Sequence, residues 1–326
     1  MKQKFLILLL VFSIGLAACS SPQQNPTPAE PVKVTLPMGY IPSVQFAPFY
    51  VAAEKGYFAD AGIQVEFDYK FETDGVALVG ANKLPFALVS GEQVPLARAQ
   101  GLPVVYVMSW WHDFPVAVTT MSDSGIESPA DLKGKKIGIP GLFGASYVGL
   151  RALLDAVGLK ESDVTLDSIG FNQVEALVSG RDDAVVVYAN NEPIQLDALG
   201  YDVRTFPVKD YVSLASNGII TNEKTIEENP ELVRNFVHAV TRGLEFTLAE
   251  PGEAFTISRN YIEGLQESQW KTQLEVLNTS IEYWKAKQLG VSDPVAWDNM
   301  QTVLLNMGLL KAPVDLQKAY TNEFVK

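Results

Sequence analysis

From Val32 onward, short apolar runs alternate with stretches of helical spacing. Strand-like runs fall at 32–36, 63–67, 86–89 and 104–108, and helical patterns at 48–55, 75–81 and 93–100. A strand–helix–strand order that repeats in this way predicts a mostly parallel sheet with helices on both faces. A further apolar run at 114–119 is followed by the polar stretch SDSGIESPADLKGKKIGIPG, which breaks the series. A second series then starts, with strands at 136–139, 164–169 and 184–187 and helices at 146–157, 174–178 and 193–199. Residues 212–220 read as one more strand, and the pattern beyond Thr221 is helical, at 231–248, 254–261, 269–288 and 295–307. Two such series predict an α/β chain of two lobes. The expected division is 32–119 plus 221–326 for the first lobe and 120–220 for the second. The strand-like crossings near 114–120 and 212–220 would form a two-segment hinge, and the C-terminal helices would return to the first lobe.

The start of the chain is different in kind. Lys2 and Lys4 precede an apolar run at 5–16, followed by Leu16-Ala17-Ala18-Cys19. The run has the length of a signal-peptide core and is short for a membrane span. The residues before Cys19 resemble a bacterial lipobox, so a signal peptide at 1–18 and lipidation of Cys19 are expected. Residues 20–31, SSPQQNPTPAEP, hold almost nothing apolar, and 19–31 is expected to be a disordered tether. Cys19 is the only cysteine and there are two histidines, which excludes a disulfide framework within the chain or a Cys/His metal cluster. The net charge of -13 argues against a nucleic-acid partner.

Open α/β sheets bind ligands beyond the carboxyl ends of their strands. With two lobes, those ends can face one another across a cleft. The candidate junctions are 41–49, 90–93, 109–114, 142–147, 170–172 and 188–192.

Three stretches have a family look: GYIPSVQFAPFYVAAEKGYFADAGIQVEF, SPADLKGKKIGIPGLFGASYVGLRALL and GFNQVEALVSGRDDAVVVYANNEP. They resemble the bacterial solute-binding proteins grouped around uptake of nitrate, taurine, alkanesulfonates and thiamine-pyrimidine precursors. The resemblance covers roughly residues 32–326. It implies a two-lobed, type II periplasmic-binding-protein fold that hands a small molecule to the permease and ATPase subunits of an ABC importer. One branch of the family comprises eukaryotic enzymes that make the thiamine pyrimidine with an active-site histidine and a cysteine-rich motif. This sequence departs from that branch, since its one cysteine lies in the lipobox. The Phe-Gly-Ala-Ser-Tyr loop, with a tryptophan-rich first lobe, is also similar to the riboflavin-binding lipoproteins of bacterial riboflavin importers. What this implies is a lipid-anchored receptor on the outer face of the cell membrane, with riboflavin as transported ligand rather than cofactor. The alternatives are a thiamine pyrimidine precursor, a sulfonate, or an enzyme acting on a pyrimidine-like ring.

The residues themselves name the candidate site. Trp110 and Trp111 follow a strand of the buried type, and adjacent residues on an extended segment point to opposite sides. One is expected to face the cleft and stack on a flat ring while the other packs inward. Asp113 follows in the same junction. Gln45 can donate and accept, which suits an amide or imide edge. Phe46 and Phe49 share a helix face if the helix has begun, and either could be core instead. In GLFGASYVG, Gly144 permits close approach, and Ser146 either meets a ligand or caps the helix. The stretch lacks the Gly-Lys-Ser/Thr ending of a phosphate loop and the Gly-x-Gly-x-x-Gly of a dinucleotide site. It carries Phe143 and Tyr147 instead, which points to a ring with polar edges. Tyr188, Asn190, Asn191 and Glu192 add an aromatic ring and hydrogen-bonding groups suited to a chain of hydroxyls, and Asn172 is a further candidate at another junction of the same lobe. His112 and His238 read as structural, and 133–136 as a solvated basic turn. No Ser/His/Asp, paired-carboxylate or metal-spaced set is recognisable, so no catalytic residue and no metal are expected.

Overall fold

The computed structural model describes residues 30–69 and 71–325. The signal segment, Cys19 and nearly all of the tether lie outside the described residues. The strands are β1 (Val32–Pro37), β2 (Ile63–Asp68), β3 (Ala87–Val89), β4 (Val104–Ser109), β5 (Val116–Met121), β6 (Lys136–Ile139), β7 (Thr165–Ser168), β8 (Ala184–Tyr188), β9 (Val203–Pro207) and β10 (Gly218–Asn222). β1 and β2 pair in parallel, and β10 lies between β3 and β4, antiparallel to both. The second group is one sheet of order β7-β6-β8-β5-β9. In it β6 runs parallel to β7 and β8, while β5 runs antiparallel to β8 and β9. The strands that run against their neighbours are thus β5, on which the chain enters the five-stranded sheet, and β10, on which it returns to the three-stranded one.

Pairing puts all of β5 in the five-stranded sheet and all of β10 between β3 and β4. The division expected after residues 119 and 220 falls inside these two strands; the chain changes sheet before residue 116 and before residue 218. The strand expected at 212–220 is a strand only from Gly218. Upstream, Asn217 O accepts from Trp110 N and Trp111 N, and Ala215 N donates to Ala296 O. Those backbone groups are committed to the turn after β4 and to helix Pro294–Asn306, so no ladder forms there. β9 was not expected. It is an edge strand whose one fully buried side chain is Phe206, so its alternation is weak in the sequence.

Of the C-terminal helices, Pro230–Ala249 packs on the first sheets, whereas Pro294–Asn306 lies against helix Gly144–Ala156 as well. Helix Pro230–Ala249 buries Val233, Phe236, Val237, Val240 and Leu244, a stripe at helical spacing, in the same core as Phe49 and Leu36. It crosses helix Ala47–Glu54 so closely that a Cβ on Gly243 would lie 2.0 Å from Pro48 O. The five-stranded sheet is buried on both faces. Val116, Val118 and Val186 face one core while Ala117, Val185 and Val187 face the other, the alternation of a central sheet. Among the described residues no helix is long and apolar enough to cross a membrane.

Candidate functional site

The six junctions predicted from the strand ends each lend residues to one cavity of about 400 Å³. That volume is in the range of small-molecule sites, about 300–1,000 Å³. The cavity lies between the segments that follow β1, β2, β3 and β4 and those that follow β6, β7 and β8.

The aromatic wall is built on the end of β4. Trp110 N and Trp111 N both donate to Asn217 O, and Ser109 Oγ donates to Trp111 O, which fixes the turn. Both indoles reach the cavity wall, and both are almost fully buried. The cleft contact expected of at least one of them is made by both, and each also packs inward. Phe46 lies beside Trp110, 5.5 Å between ring centres, and Tyr188 meets Trp111 edge-on at 6.0 Å. Phe49 stands behind this wall in the core, edge-on to Trp110 at 5.1 Å.

The glycine loop supplies the facing wall. Helix Gly144–Ala156 starts at Gly144, whose φ of +71° suits glycine, and no side chain caps its first turn. Ser146 sits inside that turn on the cavity wall rather than at the cap position. Phe143 lies over Gly141, where a Cβ would come within 2.6 Å of its ring. At 62% exposure Phe143 forms the lip of the cavity. Tyr147 turns away from it: its hydroxyl donates to Glu161 and accepts from Arg151 Nη1.

Polar groups come from both sides. Gln45 Oε1 accepts from Asn190 Nδ2, which also donates to Ser280 Oγ. Asn190 is fully buried behind the wall and orients Gln45 rather than lining the cavity. Glu192 lines it and accepts from Tyr188 N and Asn191 Nδ2 at 3.0 Å each. Burial pushes its carboxyl up to about 7, against the hydrogen bonds it accepts. Asp113 is off the wall, paired with Lys209 at 2.7 Å. Asn172 is off it too, donating to Ile169 O.

Sequence reasoning missed a carboxyl pair. Glu72, on the first turn of helix Glu72–Gly80, lines the cavity. Ser90 Oγ lies 2.5 Å from Glu72 Oε2 and 2.5 Å from Glu92 Oε1. Burial, then the neighbouring Glu92, raise Glu72 above the ordinary carboxyl range, and burial raises Glu92. Gln173 and Asn217 also line the cavity unpredicted. The signal for Glu72 was faint, because it lies in a polar run just before a helix expected three residues later. Among the described lining residues there is no lysine, arginine or histidine. No group of His, Cys, Asp and Glu among the described residues is arranged to hold a metal ion. Such a cavity can stack a flat ring, exchange hydrogen bonds with its edges and repel a fixed anion.

Fold and site together define the class: this is the two-lobed fold of periplasmic binding proteins. The periplasmic aliphatic sulphonate binding protein SsuA from Escherichia coli shares it with a TM-score of 0.74, over 91% of this chain and 100% of that one, at 14% identity. More particularly, the chain belongs to the NMT1/THI5-like family, whose model matches residues 43–254. It is 42% identical to the riboflavin-binding protein RibY of Chloroflexus aurantiacus, over 100% of this chain and 98% of that protein. It is 30% identical to the formylaminopyrimidine-binding protein of Halalkalibacterium halodurans, over 99% of each.

Proposed function

We propose that the chain is the extracytoplasmic solute-binding component of an ABC importer, and that it captures riboflavin in the cavity and delivers it to the permease and ATPase subunits. The observation that carries this is the wall itself: Trp110, Trp111, Phe46 and Tyr188 around a space bordered by carboxyls and amides and, among the described lining residues, by no cation. Riboflavin has a flat tricyclic ring, a uracil-like edge and a chain of hydroxyls, and carries no phosphate. The full-length similarity to RibY supports the same ligand. A sulfonate is a fixed anion and would want an arginine or lysine fork, so that reading is disfavoured. A formylaminopyrimidine is the second reading, supported by the 30% identical relative and by the same cation-free amide wall. Binding without turnover is the activity proposed, since the residues of the family's enzyme branch are missing from the sequence.

Two further parts of the reading concern the whole chain. The segments between β4 and β5 and between β9 and β10 act as the hinge between the lobes. Lipidation of Cys19 holds the protein at the outer face of the cell membrane, and a Cys19→Ala chain is expected to leave the membrane fraction; a processed variant retained like wild type would contradict the anchor.

Ligand identity is tested by titrating apo protein into riboflavin and following flavin fluorescence. The expected result is saturable quenching at one flavin per chain. Flavin mononucleotide is expected to bind more weakly, because its phosphate finds carboxyls and no cation. Unchanged flavin fluorescence at micromolar protein, with a formylaminopyrimidine saturating the chain, would give the second reading its place.

A further inference from the structure

A second cavity, of about 540 Å³, opens beside the first. The two meet at Tyr40, Phe171, Gln173, Asn191 and Glu192, which line both. Their characters differ. The first is walled by Trp110, Trp111 and Phe46, whereas the second mixes Asn172, Glu175 and Gln195 with Ile41, Val174, Val178 and Leu199 and is the more polar of the two. Tyr40 and Phe171 meet edge-on, ring centres 5.1 Å apart, and form the lip between the two spaces.

The groups along this lip are already ordered, apart from the Tyr40 hydroxyl and the Gln173 amide, which make no hydrogen bond to a described residue. Gln195 Nε2 donates to Asn191 Oδ1 at 2.9 Å, and Asn191 Nδ2 donates to Glu192 Oε1 at 3.0 Å. Gln173 is 5% exposed, lines both cavities, and its amide makes no hydrogen bond to any described residue. Although the residue is largely buried, its amide atoms stay reachable from the cavities, where they are free to meet a ligand. An amide offers two donors and an acceptor, which is what a hydroxyl chain can use along its length.

We infer that the ligand site has two chambers, the aromatic one holding the ring and the more polar one beyond Tyr40 and Phe171 holding a polyhydroxylated tail, with the Gln173 amide bonding the tail where it crosses. This rests on the riboflavin reading above and adds to it a specificity rule: ring alone binds poorly, and the tail is read by side chains of the second lobe. It also locates the penalty for a phosphate at the tail's end, which would enter a chamber holding Glu175 and Glu192.

The test compares riboflavin with lumiflavin, which has the same ring and a methyl group in place of the ribityl chain. Both are titrated against the full chain and its Gln173→Leu variant. A hydrogen bond to a neutral group is worth roughly tenfold in affinity, so wild type is expected to bind riboflavin at least tenfold more tightly than lumiflavin. The variant is expected to lose about tenfold for riboflavin and markedly less for lumiflavin, with an unchanged melting temperature certifying the fold. Equal affinities for the two flavins in wild type, or a Gln173→Leu loss shared equally by both, would overturn the two-chamber site while leaving the riboflavin reading intact. Failure of wild type to bind either flavin would instead overturn that reading, and this inference with it.

Discussion

Ser90 has one hydroxyl proton and stands 2.5 Å from a carboxyl oxygen of each of two glutamates. Burial, and for Glu72 the neighbouring Glu92 carboxyl, raise both acids above the ordinary carboxyl range, which favours a proton in the Glu72–Ser90–Glu92 cluster. The folded chain binds this proton above the ordinary carboxyl value of 4.5 and the unfolded chain does not. Stability is then complete below that value and is lost as pH rises through the raised folded-state value. Urea unfolding from pH 5 to 8.5 should show a decline that Glu72→Gln makes shallower, because an amide has no proton to lose. An unchanged slope in the variant would place the titration elsewhere. Phe143 behaves differently. It is 62% exposed and sits on the cavity lip, so Phe143→Ala should leave melting nearly unchanged and weaken flavin binding by about 1 kcal/mol. That split is read by thermal unfolding and by titration of the same preparation.

Elements differ in how far the sequence announces them. Helix Pro230–Ala249 is legible because its apolar stripe repeats over five turns. Strands β4 and β8 are legible as continuous apolar runs, the mark of a strand buried on both faces. β9 at the sheet edge buries too little to show, and the run before β10 is apolar without being extended. The cavity's location was legible too, since strand-to-helix junctions converge where two such series face each other. Its composition was only partly so. Gln45, Phe46, Trp110, Trp111, Phe143, Gly144, Ser146, Tyr188 and Glu192 line it. Phe49, Asp113, Tyr147, Asn172 and Asn190 do not, because a junction residue's direction depends on partners distant in sequence, such as Ser280 for Asn190. Gly243 shows the same limit inside a helix. Alanine there would gain about 1 kcal/mol of helix propensity. The close crossing at Pro48 O reverses the sign, and Gly243→Ala should destabilise the chain by roughly 1–3 kcal/mol from overpacking. A stabilised variant in urea unfolding would mean the two helices can move apart at little cost.

At the scale of the molecule, the proposed hinge would let the two groups of strands that border the cavity close on a ligand, the usual motion of clefts of this kind. Closing on a ligand that the unfolded chain does not bind stabilises by mass action, about 2.7 kcal/mol at a hundredfold excess over Kd. Riboflavin should therefore raise the melting temperature in a concentration-dependent way. The central claim is that this cavity takes a neutral, ring-bearing flavin. Its most direct test is a titration of apo protein followed by tryptophan emission, because Trp110 and Trp111 form the wall. Riboflavin should quench that emission saturably, at one equivalent per chain, with flavin mononucleotide needing higher concentrations and an arylsulfonate causing no saturable change. Tight one-to-one binding of the sulfonate or a formylaminopyrimidine, with riboflavin leaving the emission unchanged, would contradict it.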